Sequence, residues 1–381
     1  MMKSTALRVA ALLCALAIAA AAPVESPESQ KKYEVPADSE VPRLIIYYQT
    51  THDASTQRPI SMLPLITEKN IALTHLIVCS LHIDPAGSVL RLNDYPVNHS
   101  HFYTLWNETA VLQRTQVKVF GMIGGAAAGS FSTATLDGSD KTFATYYPQL
   151  RNAISRYKLE GIDLDVEQSM SQAGITRLIR RLRQDFGPDF SITLAPVATA
   201  LRGGPNLSGF SYTELEKTFG AEIDFYNAQF YNGFGDMDSP APYEDVIKHG
   251  WSPLQIVAGQ LTSPQNGGDF TSTARLNATV HALVSRYGNI GGIFGWEYFN
   301  SAPGGTAKPW AWAQDMTSIM RSNGLPKLAI TTAVATRLVA AWRDTILGSI
   351  GAPSGNQSQV NTVVPASVLE PDVNYMAMVN A

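Results

Sequence analysis

Cysteine is almost absent from this chain, which contains only Cys14 and Cys79 among 381 residues. Cys14 lies in an N-terminal stretch that we expect to be removed, so the mature protein would keep a single thiol. An internal disulfide and a zinc site built from several cysteines are thereby excluded. Cys79 ends the apolar run that begins at Leu76, and it is predicted to be a buried free thiol because free cysteine packs as a small hydrophobic residue.

Charge is also sparse, since charged residues make up 16% of the chain and the net charge is −4. No basic cluster is present that would bind a nucleic acid, and no such partner is expected. The sequence has no glycine-rich phosphate loop, no His-Glu-x-x-His pair and no Gly-x-Ser-x-Gly elbow. We therefore expect neither a metal nor a cofactor. With 45% hydrophobic residues, the chain has ample material for a large core.

The N-terminal residues are typical of a secretory signal, which we place at residues 1–22. Lys3 and Arg8 precede an apolar stretch that is too short for a comfortable membrane span. Residues 23–41 are predicted to be a propeptide or a flexible lead-in. A secreted, extracellular glycoprotein is expected, with no membrane partner. Sequons for N-glycosylation occur at Asn98, Asn107, Asn206, Asn277 and Asn356.

Short apolar runs alternate with helical segments through most of the chain. Two helices are predicted at about 142–157 and 171–186, the second from its apolar spacing and the Gly187-Pro188 stop. The apolar runs cover residues 44–48, 73–83, 117–123, 159–167, 190–197, 223–231, 254–261 and 290–298.

Eight strands alternating with helices predict an α/β fold, a (β/α)8 TIM barrel that forms one catalytic domain over residues 42–321. A doubly wound open sheet is the alternative, but the turn after the first run, Gln49 to His52, contains no glycine for a phosphate site. Residues 322–381 are predicted to be a C-terminal tail, with one possible helix followed by a flexible segment.

The fourth run carries a row of acidic side chains. Side chains alternate between the two faces of a strand, so Asp163, Asp165 and Glu167 would share one face and stand roughly 6–7 Å apart. Carboxylates this close repel one another unless some are neutral or hydrogen bonded. A solvated acidic face is the simpler explanation. The aspartates nevertheless oppose β-propensity in a strand expected to be covered on both faces, which indicates a site.

This stretch, Glu160-Gly161-Ile162-Asp163-Leu164-Asp165-Val166-Glu167, resembles the D-G-x-D-x-D-x-E signature of glycoside hydrolase family 18, the chitinases and their relatives. Three further segments agree with the family, and the resemblance extends over about residues 42–321. Gly124-Gly125 resembles the end of its S-x-G-G motif, Gln229-Phe230-Tyr231-Asn232 resembles the Q-F-Y-N of its plant and fungal branch, and Trp296 matches its sugar-platform tryptophan.

Two positions depart from the family pattern. Glu160 stands in place of the first Asp of the signature, where we expect a structural effect only. Met122 stands in place of the S-x-G-G serine and is expected to remove one hydrogen bond beneath the carboxylates.

The resemblance implies a retaining, substrate-assisted hydrolysis in which the acetamido group of the substrate is the nucleophile. Glu167 would be the general acid and base, with its pKa raised by the charge of Asp165. Asp165 would hold the acetamido N–H and stabilise the oxazolinium intermediate. Asp163 would share a proton with Asp165, and the Tyr231 hydroxyl would donate to the acetamido oxygen.

The remaining candidate residues would bind the sugar. Strand alternation puts Gln229 on the same face as Tyr231, and Trp296 would stack under the sugar at the cleavage point. Tyr47 is a sugar contact or a packing residue. The predicted substrate-binding residues are Gln229, Asn232, Trp296, Tyr47 and Gly125.

The function predicted first is an endochitinase that hydrolyses β-1,4 links between N-acetylglucosamine units, with chitin or its oligosaccharides as binding partner and a monomeric state. Residues 262–289 leave room for one helix, so a large α+β insertion is not expected and the groove should be shallow and open. An endo-β-N-acetylglucosaminidase acting on the chitobiose core of N-glycans would use the same residues and remains an alternative. An inactive chitin-binding lectin is a third, although such proteins usually lose the acid that Glu167 provides.

Overall fold

A closed ring of parallel strands forms the centre of the molecule. The computed structural model describes residues 41–115, 117–321 and residue 337. Its strands are β1 (Arg43–Tyr48), β2 (His75–His82), β3 (Arg91–Leu92), β4 (Tyr95–Pro96), β5 (Lys118–Gly124), β6 (Gly161–Asp165), β7 (Ser191–Leu194), β8 (Phe225–Gln229), β9 (Ile256–Leu261) and β10 (Gly292–Trp296). The other eight strands pair in parallel with one another, while β3 pairs antiparallel with β2 and β4. Strand β1 pairs with both β2 and β10, which closes the barrel.

Helices surround this ring on its outer side. They are α1 (Pro64–Thr67), α2 (Tyr103–Leu112), α3 (Asp140–Tyr157), α4 (Gln172–Phe186), α5 (Tyr212–Phe219), α6 (Ala241–Lys248), α7 (Thr273–Tyr287) and α8 (Ala311–Met320). In α4, Ile175, Leu178, Ile179 and Leu182 recur at helical spacing and are all fully buried. The Ser171 hydroxyl caps the N-terminus of α4 by accepting from the Gly174 N–H.

The barrel strands divide the hydrophobic residues between two cores. Residues that point outward pack against the helices, whereas those that point inward form a smaller cluster inside the barrel. That inner cluster includes Ile45, Ile77 and Cys79, and Cys79 is a buried free thiol as predicted. Above this apolar layer, polar side chains project inward from β6 and β8. The polar side chains therefore stand on a closely packed apolar layer, which limits their movement.

One acidic group is buried outside the barrel interior. Glu108 on α2 is fully buried, and its Oε2 atom accepts a hydrogen bond of 2.7 Å from the Met62 backbone N–H. Burial raises the pKa of Glu108 from 4.5 to about 7, although hydrogen bonds from Met62, Ser61 and Leu63 oppose the rise. The carboxyl is therefore mostly protonated below about pH 7 and mostly ionised above it.

The barrel predicted from the alternating runs is confirmed, and each predicted run overlaps one barrel strand. The helices predicted at 142–157 and 171–186 correspond to α3 and α4, which begin within two residues of the predicted positions. Between β9 and β10 the chain forms only α7 and its loops. The short pair β3 and β4 was not predicted, because two-residue strands leave no periodic pattern.

Several predictions concern residues outside the described ranges. The signal, the lead-in up to residue 40 and the tail from residue 322 lie there, apart from residue 337, and so does Asn356. Among the described residues, no helix has the length and apolar character needed to cross a membrane.

Candidate active site

The acidic row rises from the barrel interior toward the C-terminal rim of β6. Asp163 is fully buried, Asp165 is 5% exposed, and Glu167 is partly exposed. The strand ends at Asp165, so Glu167 lies two residues beyond it, and the prediction that the strand continues through residue 167 was wrong. A carboxyl in the loop after a strand is freer to face a substrate than one in a parallel ladder.

Three donors surround the deepest carboxylate. Asp163 accepts hydrogen bonds of 2.7 Å from the Tyr47 hydroxyl, 2.6 Å from the Thr193 hydroxyl and 3.1 Å from the Asn227 side-chain amide. Burial raises the pKa of Asp163, and these three hydrogen bonds oppose the rise because they stabilise the charged form. The residue is therefore fixed in position by β1, β7 and β8 together.

The amide of Gln229 joins the other two carboxyl groups. Its Nε2 atom donates to Asp165 at 3.1 Å, to Glu167 at 3.3 Å and to the Ala195 carbonyl at 3.0 Å. Burial, followed by the charges of Glu167 and Asp163, raises the pKa of Asp165 well above its usual range. Burial also raises the pKa of Glu167, and in both cases the Gln229 hydrogen bond works in the opposite direction.

The two carboxyl groups act on each other through their charges. Burial is the first cause of the raised pKa at both, and the repulsion between them favours a state in which one of them is protonated. The charge of Asp163 also raises the pKa of Asp165, and the sharing of a proton between these two aspartates stays a prediction. A pair that resists carrying two negative charges keeps one proton available for transfer.

Tyr231 faces the same carboxyl groups from just beyond the end of β8. It is 6% exposed and lines the cleft above Asp165. Its pKa is raised by burial first and then by Asp165, Glu167 and Asp163, so the hydroxyl keeps its proton. That hydroxyl makes no hydrogen bond with any described residue, which leaves it available as a donor to a bound molecule.

These groups open into a cleft of about 390 Å³ at the C-terminal end of the barrel. Such a volume is typical of sites for small ligands. Of the predicted sugar-binding residues, Gly125, Gln229, Asn232 and Trp296 line the cleft. The complete lining is Gln49, Ser80, His82, Asn93, Gly124, Gly125, Ala126, Ala127, Asp165, Glu167, Gln229, Tyr231, Asn232 and Trp296.

The fold and this site match one family of glycosidases. Residues 43–299 match Glycosyl hydrolases family 18, and this match spans more than half of the chain. The chain belongs to this family. As a family 18 glycosidase, it uses a barrel in which the acidic row on β6 and the Gln-Phe-Tyr-Asn segment after β8 meet in one cleft.

Similar proteins of known structure include two fungal enzymes. A fungal endo-β-N-acetylglucosaminidase of family 18 is 62% identical, with a TM-score of 0.73, and covers 74% of this chain and 99% of its own. Chitinase ChiC from Aspergillus fumigatus is 45% identical, with a TM-score of 0.66, and covers 73% of this chain and 99% of its own. Chitinase 1 from Rhizopus niveus is 28% identical over 216 residues, which are 52% of this chain and only 41% of that relative.

Tyr47 has the position of a packing residue in this family 18 site, which is one of the two roles that the sequence left open. It is 2% exposed, it does not line the cleft, and its hydroxyl donates to Asp163. Its ring packs under the Trp296 ring, with 5.7 Å between the centroids. Tyr47 therefore supports Asp163 and the tryptophan from below instead of contacting the sugar.

Glu297 is a site residue that the sequence did not reveal. Its carboxylate accepts hydrogen bonds from the backbone N–H groups of Gln49 at 3.2 Å and Thr50 at 2.7 Å, and from the Thr50 hydroxyl at 2.9 Å. The loop after β1 is thereby tied to the end of β10, beside Trp296. In the sequence, the only indication that Glu297 belongs to the site is its position next to Trp296. Its hydrogen-bond partners lie about 250 residues earlier in the chain.

The two departures from the family pattern have clear positions. Glu160 accepts from the Val119 N–H at 2.9 Å, outside the cleft, which agrees with the structural role expected for it. Met122 is fully buried in the inner cluster and is paired in register with Asp163, so a thioether takes the place of a hydroxyl beside that carboxylate. Among the described residues, no group of three or more His, Cys, Asp or Glu side chains is placed to hold a metal ion.

Proposed function

We propose that this protein is an endo-β-N-acetylglucosaminidase that cleaves the β-1,4 link between the two N-acetylglucosamine units of the N-glycan core. The observation that supports this proposal is the 62% identity to a fungal enzyme of that activity, over 99% of that enzyme's chain. The cleft that accompanies this similarity contains Glu167, Asp165 and Tyr231 together. The sequence alone favoured chitin as the substrate. Because of this similarity, we place the N-glycan core first and chitin second.

In the proposed mechanism, Glu167 donates its proton to the glycosidic oxygen as the bond breaks. The acetamido oxygen of the donor sugar attacks the anomeric carbon and forms an oxazolinium ion, with no covalent bond to the protein. Water then opens that ion while Glu167 takes up a proton, and the configuration is retained. Burial raises the pKa of Glu167, which favours the protonated form that a general acid needs.

Asp165 and Tyr231 would hold the acetamido group during this attack. The carboxylate of Asp165 accepts the acetamido N–H and stabilises the positive charge that develops on the ring. The Tyr231 hydroxyl, unbonded within the described protein, donates to the acetamido oxygen and sets its direction. Gln229 orients both carboxyl groups, and Asp163 supports Asp165 electrostatically from below.

The short connection between β9 and β10 supports a branched substrate. Only α7 and its loops connect β9 to β10, so no extra domain rises above Trp296. A shallow cleft admits the middle of a chain whose ends project on both sides, as endo-cleavage requires. An N-glycan has a polypeptide on one side of its core and branching mannose arms on the other, and it needs such an opening.

Endochitinase activity is the second candidate. It is favoured by the 45% identity to chitinase ChiC over 99% of that chain. The same carboxyl groups would cleave the same type of bond between N-acetylglucosamine units. An inactive chitin-binding lectin is a weaker candidate, because Glu167 is present and partly exposed in the cleft.

Parallel hydrolysis assays distinguish these functions. A high-mannose glycopeptide and a chitin hexamer are incubated separately with the enzyme, and products are identified by mass. We expect the peptide to retain a single N-acetylglucosamine and kcat/KM to be higher for the glycopeptide. Preferential cleavage of the hexamer would support the chitinase, and cleavage of neither would support the lectin.

We also propose that the protein is secreted as a monomeric glycoprotein. Secretion and glycosylation are supported by the N-terminal signal pattern and by the surface position of the sequon residues Asn98 and Asn277, which are both exposed. N-terminal sequencing of protein from the culture medium of an expressing fungal host should show a start at or after residue 23. Retention of the full chain inside the cells would contradict secretion.

A further inference from the structure

Glu167 stands on a stretch of chain that lies outside the barrel strands. Strand β6 ends at Asp165, and residues 166–170, which we call the acid segment, carry Glu167 beyond the last strand pairing. Within the described part of the chain, the Glu167 side chain makes one hydrogen bond, which it accepts from the Gln229 amide at 3.3 Å. The position of the carboxyl group therefore depends on how the acid segment itself is held.

The side chain of Gln168 ties one side of the acid segment to the loop after β5. Its Oε1 atom accepts hydrogen bonds from the Gly129 N–H at 2.7 Å and from the Phe131 N–H at 3.4 Å. That loop is itself firmly held, because Phe131 is fully buried and the Thr135 hydroxyl donates to the Ser130 carbonyl at 2.9 Å. Gln168 does not line the catalytic cleft, so its hydrogen bonds fix the backbone beside Glu167 and do not reach the sugar.

Ser208, in the loop after β7, holds the acid segment from the opposite side. Its hydroxyl donates to the Val166 carbonyl at 2.6 Å and lies 2.7 Å from the Tyr212 hydroxyl, and its carbonyl accepts from the Met170 N–H at 2.9 Å. Ser208 and Tyr212 are both buried, so these bonds form in a low-dielectric setting where hydrogen bonds are strong. At Gly209, where φ is +79°, an added Cβ would lie 3.0 Å from the Met170 nitrogen, so the two stretches pack directly against each other.

Proton transfer to the leaving oxygen depends on this placement of the acid segment. A general acid must lie within hydrogen-bond reach of the atom that it protonates, and it contributes about 10²–10⁴-fold to the rate. A displacement of about 1 Å can remove about 10²-fold of such a contribution. Gln168 binds the loop after β5 while the preceding residue, Glu167, lines the cleft, so a shift at Gln168 is passed directly to the acid.

We propose that Gln168 is a positioning residue for the general acid, and that its hydrogen bonds to the loop after β5, opposite those of Ser208, set the distance between Glu167 and the leaving oxygen. The inference rests on the proposed function for the role of Glu167. It applies to the N-glycan core and to chitin alike, because the bond that is cleaved is of the same type.

The test compares a leaving group that needs a proton with one that does not. In the high-mannose glycopeptide the leaving sugar oxygen must be protonated, whereas para-nitrophenolate departs as an anion from the para-nitrophenyl glycoside of the same donor oligosaccharide. Gln168→Met removes the accepting oxygen. We expect it to lower kcat/KM for the glycopeptide about tenfold, through kcat, with KM changed less than about twofold. For the para-nitrophenyl glycoside, kcat/KM should change less than about twofold, because its cleavage needs no general acid.

Two further variants complete the comparison. Gln172→Met is the matched control, because the Gln172 Oε1 atom on α4 also accepts a backbone N–H from a neighbouring loop, that of Ser211 at 2.9 Å. It should hydrolyse both substrates at the wild-type rate. Gln168→Asn shortens the side chain by one methylene and should show the same selective loss as Gln168→Met. It replaces Gln168→Met if that variant does not fold, as judged by circular dichroism.

The outcomes separate this proposal from the proposed function. If the wild type cleaves the glycopeptide and Gln168→Met slows both substrates equally or neither, the positioning role is refuted while the function stands. If the wild type cleaves only chitin oligomers, the proposed function fails, and the same variants are compared on the chitin hexamer and a para-nitrophenyl chitooligosaccharide. A loss restricted to the hexamer then supports the positioning role, whereas equal losses or none refute it. If the wild type cleaves none of these substrates, both proposals fail.

Discussion

The buried carboxyl of Glu108 makes the stability of the barrel depend on pH. Its pKa is 4.5 in an ordinary setting and about 7 in the folded protein, so the folded state holds this proton more tightly than the unfolded state. Its favourable effect is complete below pH 4.5 and is lost as the pH rises through about 7. At about 1.4 kcal/mol per pH unit, the loss between pH 5 and pH 8 is about 2–3 kcal/mol.

Glu108→Gln keeps the shape of the side chain and removes the titration. Urea unfolding of the variant and the wild type at pH 5 and pH 8 gives four free energies of unfolding. We expect the decrease from pH 5 to pH 8 to be smaller in the variant by about 2–3 kcal/mol. A constant cost of the substitution cancels in this comparison, as do all other titrating groups.

The matched control is Glu214→Gln, which removes an exposed carboxylate on α5. Its pH dependence should equal that of the wild type. If Glu108→Gln also showed the wild-type pH dependence, Glu108 would be ionised in the folded protein and the assigned effect of burial would be incorrect.

Three further predictions concern the site. Glu167→Gln should lower kcat by about 10²–10⁴-fold on the preferred substrate in a folded protein, and a smaller loss in steady-state assays would exclude it as general acid. Gln229→Met removes a hydrogen bond that lowers the pKa of both Asp165 and Glu167, so both limbs of the pH profile of kcat/KM, which reports the free enzyme, should move to higher pH; an unmoved profile would contradict this effect of Gln229. Tyr231→Phe should lower kcat about 100-fold with an unchanged melting temperature, because the hydroxyl bonds no described residue; a drop in melting temperature would indicate a structural role.

The barrel could be predicted from the sequence because patterns within short segments indicate its strands and helices. Short apolar runs recur with helical segments between them, and the alternation of inward and outward side chains within β6 and β8 is fixed by strand geometry. Alternation placed Asp163 and Asp165 on one face of their strand, and the resemblance to family 18 predicted that Tyr231 acts with them in one site. The end of β6 was placed two residues late because the same alternation continues beyond Asp165, where pairing stops.

Contacts between distant segments could not be predicted in this way. Nothing in the segment around Tyr47 indicates that its hydroxyl reaches Asp163, which is 116 residues away. The same applies to Glu297 and the loop after β1, and to the stacking of His52 on His101. Each contact depends on how neighbouring barrel strands and their loops are placed, and a single sequence contains no local pattern for that placement.

The bond between Glu297 and the loop at Thr50 has a consequence for the order of events during synthesis. It joins residues 247 positions apart, at the seam where β10 meets β1. During synthesis, nearly all of the barrel strands must therefore be made before Trp296 and the loop after β1 can come together. Fragments that end before this seam would contain the complete acidic row yet lack Trp296, which is predicted to stack under the sugar. Catalytic competence in this protein should consequently appear in a single late step and serve as a reporter of completed folding.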